Sequence, residues 1–551
     1  MPIAWVEAYD SGLAVDFTLV PAGFGKIMKS KYDWGLYTVP QKNCNDRELF
    51  WTRGSSSNAM MFHYGAPTDY DEWSKATDEP EGKEWEFEHF QEWLRKFEKF
   101  YPHPDFPLDE SRRGTDDRLQ RELLKCLSVI CGFMSSIGIP HNPDFNTSRL
   151  VHIDQLEIPV RSLMLILQWN TWGLKDDDIH HPYIHQVLRR GCLSYSCRLG
   201  SPKPDCGDEC SCDRILFDGK RAVGVEFARN KEGPRYQVRT RKEVILCAGA
   251  VHTPHILMNS GVGPAEELNK HHIPVVQDSP GVGDHLMDHQ AVAIRFPTVP
   301  GESLNYLNPA HSNSIYDKLR RIKAIGQYLF FSRVRSLVTL GKQRASCALM
   351  MQTSFPDFPR LAKTLLLVLA RRHRIDLHAD WVAKEHEERL VENMMSIIAI
   401  ADKHGENYLR SNDPFDAPVI DPNYLGTQHD VDVMVRAIRT ALRLTQAEPL
   451  RNIIDNTSDT LALDKVLLEA DDAALVRVAR QRVETIYHPT STARIGSVVD
   501  TKLKVYGLDG LRIADCSVIP TIISGHTTAS ALAIGEKAAD MIKAANPAPK
   551  T

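Results

Sequence analysis

Three segments of the 551-residue chain bring together residue types that could do chemistry. The first is Tyr487-His488-Pro489-Thr490-Ser491-Thr492. An imidazole with an unperturbed pKa of about 6.5 is largely neutral at pH 7, so His488, held by the following Pro, could serve as a general base. A lone His is also often a satisfied structural residue, and spacing alone leaves both readings open. The second segment is Asp515-Cys516-Ser517-Val518-Ile519-Pro520, continuing through Ser524-Gly525-His526-Thr527-Thr528-Ala529. Gly525 and His526 precede a helix start, whose unpaired N–H groups and partial positive charge would stabilise an anionic atom. The third is Gly249–Gly263, which reads as a strand end, a tight turn and a helix with Thr253 at its N-cap and Pro254 at its first position. Backbone at the carboxyl end of such a strand is where open α/β sheets bind their ligands.

The elements that would position these residues are legible in outline. Val244–Ala248 is a short, fully apolar run, as expected of a buried parallel strand, and Leu511–Asp515 reads as a second strand. A helix is predicted over Thr527–Ala545. The two strand–helix units, far apart in sequence, suggest one α/β domain assembled from discontinuous pieces. Val223, Val225 and Phe227 alternate as in a strand. Phe87, Phe90, Leu94, Phe97 and Tyr101 recur at helical spacing, predicting an amphipathic helix over Trp85–Tyr101. Further helices are predicted at Arg118–Ile137, closed by Gly138 and Pro140, and at Asp430–Gln446.

Composition excludes several classes. With 42% hydrophobic and 25% charged residues, the chain is neither disordered nor fibrous. A net charge of -5 argues against a nucleic-acid-coating surface, so no nucleic-acid partner is expected. No stretch approaches the ~20 apolar residues of a membrane span. The apolar run Leu365–Ala370 is short and followed by Arg371, Arg372 and Arg374. Met1–Val20 lacks the pattern of a secretory signal, and a soluble protein is expected. Eleven cysteines make a complete disulfide framework unexpected. Cys192, Cys197, Cys206, Cys210 and Cys212 contain no C-x-x-C pair and fit no common zinc spacing, so no metal is expected.

The Gly249–Gly263 segment and the stretch from His488 to Ile542 together resemble the glucose-methanol-choline (GMC) oxidoreductases, most closely fungal aryl-alcohol oxidase and choline-dehydrogenase-like members. Pro280-Gly281-Val282-Gly283-Asp284-His285-Leu286-Met287-Asp288-His289 matches the family's connection after its second signature. Asp33–Gln41 and Gly65–Trp73 match two further blocks. The resemblance implies an α/β (overall α+β) fold. A Rossmann-like FAD-binding domain would be drawn from residues 1–65, 190–294 and 481–551. A substrate domain with an antiparallel sheet and flanking helices would take 66–189 and 295–480. It implies oxidation of an alcohol to an aldehyde or ketone with FAD as cofactor and oxygen or a quinone as electron acceptor. Fungal members act in lignin breakdown, in sugar or choline oxidation and in secondary metabolism, and the lack of a secretory pattern at Met1–Val20 favours the last as the expected setting. His488 falls on the family's catalytic base and His526 on the position that hydrogen-bonds the substrate oxygen. The flavin-contacting positions fall on Asn58, Ala59, Ala248, Gly249, Asp515, Cys516, Thr527 and Thr528.

The sequence also departs from the family. It contains no Gly-x-Gly-x-x-Gly, the turn that rests a pyrophosphate on a helix N-terminus. Counted from motifs, the match begins near Tyr32. The Gly pair expected beside Gly54 is missing, and Cys192–Arg214 stands where a strand is expected. The FAD-binding domain is therefore expected to be incomplete at its N-terminus, with Val244–Ala248 lacking a parallel neighbour and FAD held weakly. A homologue that has lost flavin and catalysis is the alternative reading.

Overall fold

The computed structural model describes residues 33–51, 63–101, 113–115, 119–123, 163–164, 170–171, 211–228, 230–297, 392–400, 404–446 and 464–547, with Lys29 and Arg451. Among these, the strands Val244–Leu246 and Leu511–Ile513 pair in parallel, with Ile245 opposite Arg512. Val244–Ala248 therefore does have a parallel neighbour, which corrects the expectation from sequence. The missing partner is supplied from far along the chain, because Val244 and Leu246 are buried with Leu511 and Ile513 in one core. Ile245, alternating to the opposite face from the buried Val244 and Leu246, is 41% exposed.

Each of the two strands ends in a segment of chemical interest. After Leu246 the chain turns at Gly249, whose φ of +75° lies in the left-handed region that glycine adopts without a Cβ penalty. The helix Gly249–Asn259 follows directly. It starts earlier than the Thr253-Pro254 cap predicted, because Asp515 at the end of the neighbouring strand caps it from outside. The Asp515 carboxylate accepts the Gly249 N–H at 2.9 Å and the Thr253 hydroxyl at 2.6 Å, while its other oxygen accepts the Ser517 N–H at 2.7 Å. Pro254 then lies inside the helix, where its missing N–H frees the Ala250 carbonyl four residues back. That carbonyl is taken by the Thr492 hydroxyl at 2.6 Å and the Asn407 amide at 3.3 Å. The proline thus opens a hydrogen-bonding place for the His488–Thr492 loop.

A four-stranded antiparallel sheet runs in the order Glu484–Thr485, His289–Pro297, Glu392–Ile400, Leu163–Met164. His289 opens the second of these strands opposite Ile400, and Gln290 sits opposite Thr485. The helix Gln428–Gln446 packs on the Glu392–Ile400 strand, burying Val431, Met434, Val435, Ile438 and Leu442. A second antiparallel sheet holds Ser211–Asp218, Arg221–Ala228 and Tyr236–Arg239. Residues 211–214 are thus strand, so the divergent cysteine-rich stretch ends inside the element it was expected to replace.

Two of the predicted helices are corrected. The first runs only over Phe87–Lys96 and gives way to a strand, Glu98–Tyr101. The switch comes at Glu98, whose buried carboxylate accepts from Arg113 at 2.5 Å, Tyr64 at 2.6 Å and the Gly114 N–H at 3.1 Å. Leu119–Leu123, predicted as helix, is a strand parallel to Glu98–Tyr101, and the remainder of that prediction lies outside the described residues. The C-terminal helix, Thr528–Ala545, packs on Phe87–Lys96. The buried residues form two cores. One gathers Tyr70, Trp73, Trp85 and Phe90 with the parallel strands, and the other Trp51, Val292, Ile294 and the Gln428–Gln446 helix.

Candidate active site

His488 is placed by its backbone before its ring. Tyr487 sits at φ +68°, an unfavourable region for a bulky residue that costs roughly 1–2 kcal/mol. It is held there by its N–H to the Thr485 hydroxyl at 2.7 Å. The His488 N–H donates to Asp288 at 2.8 Å, and Met287 and Thr490 exchange backbone hydrogen bonds at 3.2 and 2.9 Å. Backbone strain retained at such cost is a recurrent mark of functional sites. Asp288 is itself buried, accepting from Thr485 at 2.5 Å and from the Tyr424 hydroxyl. Burial pushes its carboxyl up to about 6 against the pull of those donors.

His526 is placed by the loop ahead of the C-terminal helix. Asp69 accepts the Ser524 N–H at 2.8 Å and its hydroxyl at 2.7 Å, which fixes the loop two residues before His526. Gly525 lets the chain pack closely there: a Cβ would lie 3.0 Å from the His63 Cβ and 3.2 Å from the Gly65 Cα. Thr527 leads into the helix without a side-chain cap, so the helix N-terminus beside His526 keeps its donor character.

These two loops bring His488 and His526 into contact. His526 Nδ1 and His488 Nε2 are 2.8 Å apart, with the rings edge to face. A third imidazole completes a chain, His289 Nδ1 lying 2.7 Å from His488 Nδ1. His289 Nε2 is 3.1 Å from the Ile523 carbonyl. His63 stands 5.0 Å from His526, ring centre to ring centre. Burial draws all three chain members towards the neutral form. It takes His289 down to about 3, and it holds His488 and His526 well below the usual imidazole value with help from the neighbouring rings. His526 Nε2 is buried without a hydrogen-bond partner among the described residues. An unpaired buried nitrogen costs about 1–3 kcal/mol, and a bound hydroxyl would repay it.

The other expected site residues divide. Ala248, Gly249 and Asp515 meet at the carboxyl ends of the parallel strands, where Asp515 ties the two segments together by accepting from Gly249 and Thr253 and holds its own loop by accepting from Ser517. Cys516 is half-buried, and loss of solvent around its thiol pushes it up to about 12, which removes it from nucleophilic chemistry at neutral pH. Thr527 and Thr528 lie at the helix start beside His526. Asn58 and Ala59 lie outside the described residues. Asp288 and His289 were read from sequence only as part of a connecting motif. The Asp-His pair closing that motif was the available signal, but their approach to His488 depends on strand pairing across 199 residues.

Sequence and fold both match known proteins. Residues 205–291 and 401–535 each match the GMC oxidoreductase family. A dehydrogenase of Strobilurus tenacellus is 30% identical, over 98% of this chain and 89% of that protein. An alcohol dehydrogenase (acceptor) of Pseudomonas putida is 28% identical, over 95% of this chain and 88% of that protein. In structure, an FAD-dependent oxidoreductase from Chaetomium thermophilum superposes with a TM-score of 0.65 at 22% identity, covering 93% and 90% of the two chains. The chain belongs to the GMC oxidoreductase family and is an FAD-dependent oxidoreductase of α/β class with antiparallel sheets. The span aligned with the Strobilurus enzyme takes in 98% of the chain, so it begins ahead of Tyr32, where motif matching had placed its start.

The residues present fit the cofactor's reactive end. The uncapped helix start at Thr527–Thr528 suits the electron-rich edge of a flavin ring. The orphaned His526 Nε2 marks a place for a polar group beside it. No helix among the described residues is long and apolar enough to cross a membrane, and no cluster of His, Cys, Asp or Glu among them could hold a metal ion.

Proposed function

We propose that the chain oxidises the CH–OH group of a small-molecule alcohol to an aldehyde or ketone, with the His488–His526 pair receiving the hydroxyl proton. FAD, when bound, supplies the acceptor for the hydride leaving the carbinol carbon. The observation that carries the reading is a pair of buried imidazoles, directly hydrogen-bonded, with one nitrogen left for an incoming hydroxyl. A neutral imidazole is the form a general base requires, and burial keeps it neutral below the pH at which an exposed histidine would charge. The apolar surroundings strengthen each hydrogen bond to an oxygen that becomes alkoxide-like as the proton departs. Thr527 and Thr528 at the helix start, with Ala248 and Gly249 at the strand end, would hold the flavin, and Asp515 keeps those two segments in register. The electron acceptor is oxygen or a quinone.

The test is anaerobic mixing of the flavin-loaded protein with benzylic, allylic, aliphatic and amino alcohols while the flavin band is followed. Bleaching by at least one alcohol class, with the matching carbonyl compound recovered, is expected. Bleaching by formate and by none of the alcohols would overturn the reading.

A further inference from the structure

The hydrogen bonds of the three-histidine chain fix which nitrogen of each ring carries its proton, and the assignment starts from the far end. The Ile523 carbonyl can only accept, so His289 Nε2 must be the donor across the 3.1 Å contact. A neutral imidazole has one N–H, which leaves His289 Nδ1 as an acceptor. The 2.7 Å contact to His488 Nδ1 then needs its proton on His488. With Nδ1 protonated, His488 Nε2 is an acceptor, and the proton in the 2.8 Å contact belongs to His526 Nδ1. His526 Nε2 is left with its lone pair, buried and unpartnered among the described residues.

We infer that His289 is a positioning residue for the alcohol-oxidation chemistry proposed above: by accepting from His488 Nδ1 it sets the tautomers of both following rings, so that the proton acceptor presented to substrate is His526 Nε2. His488 then has no nitrogen free for substrate in this state. Its part is to accept from His526 Nδ1, which orients the His526 ring and steadies the positive charge that ring acquires with the substrate proton. The inference rests on the alcohol reading for its catalytic consequence, but the tautomers themselves do not.

Two experiments separate those claims. In protein labelled with 15N-histidine, long-range 1H–15N correlations distinguish protonated from bare ring nitrogens. Signals of His289, His488 and His526 are assigned by single substitutions. Expected are Nε2–H on His289 and Nδ1–H on both His488 and His526. A bare Nδ1 on His488 overturns the inference whatever the enzyme oxidises. The second arm compares His289→Leu with His289→Gln by rapid flavin reduction with the best alcohol from the panel. Leucine removes the acceptor, while the glutamine carbonyl can still accept from His488 Nδ1. The expected result is slower reduction for His289→Leu, between about tenfold and 10⁴-fold, the upper figure being what a wrong tautomer costs a serine-protease triad. His289→Gln should recover most of the rate and return the His488 Nδ1–H signal. Equal rates for the two variants, or a folded His289→Leu protein as fast as wild type, would overturn the positioning role. If no alcohol reduces the flavin, the alcohol reading falls while the labelled spectra still decide the tautomers.

Discussion

Burial gives the site's imidazoles a pH behaviour unlike that of exposed histidines. From sequence, activity should fade below a pH near 6.5 as His488 protonates. The structure corrects this, because burial holds His488 and His526 well below that value. The acid limb of kcat/KM should therefore lie clearly below pH 6.5, and a pH profile with stability checked at every point tests it. The same burial makes folding acid-sensitive. His285 and His289 are both drawn down to about 3, from about 6.5 in an unfolded chain. Well above about pH 6.5, from about pH 7.5, neither state binds the proton, and the shift has no effect. As pH falls from about 6.5 towards 3, the unfolded chain takes up protons that the folded chain refuses, so stability drops. Between pH 7 and 5.5 each of these two histidines should cost on the order of 1 kcal/mol, read as the difference in urea unfolding free energy. Replacing either His488 or His526 with Ala should slow flavin reduction by about 10²–10⁴-fold, the usual general-base range, with flavin content little changed. Stopped-flow reduction within threefold of wild type for both would remove the pair from proton transfer.

Among the elements, the junction of the two parallel strands carries the most consequence. Asp515 accepts from Gly249, Thr253 and Ser517, and hydrogen bonds to a charged group are worth about 1.5–3 kcal/mol each when buried. Asp515→Ala should lower unfolding free energy by more than about 2 kcal/mol, seen as a lower urea midpoint, and should loosen the turn at Gly249. This junction also shows what sequence could reveal. The apolar runs at Val244 and Leu511, and the glycine at the turn, were legible because strand burial and left-handed φ each restrict residue type. The capping of Gly249–Asn259 by Asp515 was not, since the two lie 266 residues apart and the local Thr-Pro pattern points to a later start. The helix at Phe87 was legible in its apolar spacing, but its end at Lys96 was not. Phe97 and Tyr101 continue the helical period, and only the buried contacts of Glu98 with Arg113 and Tyr64 break it. His488 and His526 could be named from short motifs. The role of His289 needed the sheet.

At the scale of the whole molecule, two cores meet at the site: Ile523 belongs to one, while Val292, three residues beyond His289, belongs to the other. A cofactor seated there touches segments from the ends of both parallel strands, so its binding should stabilise the protein as a whole. Free FAD at a hundredfold excess over its dissociation constant adds about 2.7 kcal/mol. Adding FAD to the protein should therefore raise its thermal midpoint. The 551 residues offer no Gly-x-Gly-x-x-Gly turn to cradle the pyrophosphate. Gel filtration without added FAD should accordingly leave less than one flavin per chain, and supplementing the buffer should restore it. Stoichiometric flavin after filtration alone would show that other backbone groups hold the pyrophosphate.

The Ile523 carbonyl gives the histidine chain an end. A proton arriving at His526 Nε2 can be shared inward, His526 passing its Nδ1 proton to His488 and His488 passing its own to His289. It can go no further, because a backbone carbonyl accepts a hydrogen bond and does not carry a proton onward. The chain is a reservoir with one mouth rather than a conduit to solvent. Along the described chain, the proton taken up in the proposed reaction would return through the opening by which it entered, so an acceptor that needs protons with its electrons, as oxygen does in becoming hydrogen peroxide, would find one already waiting.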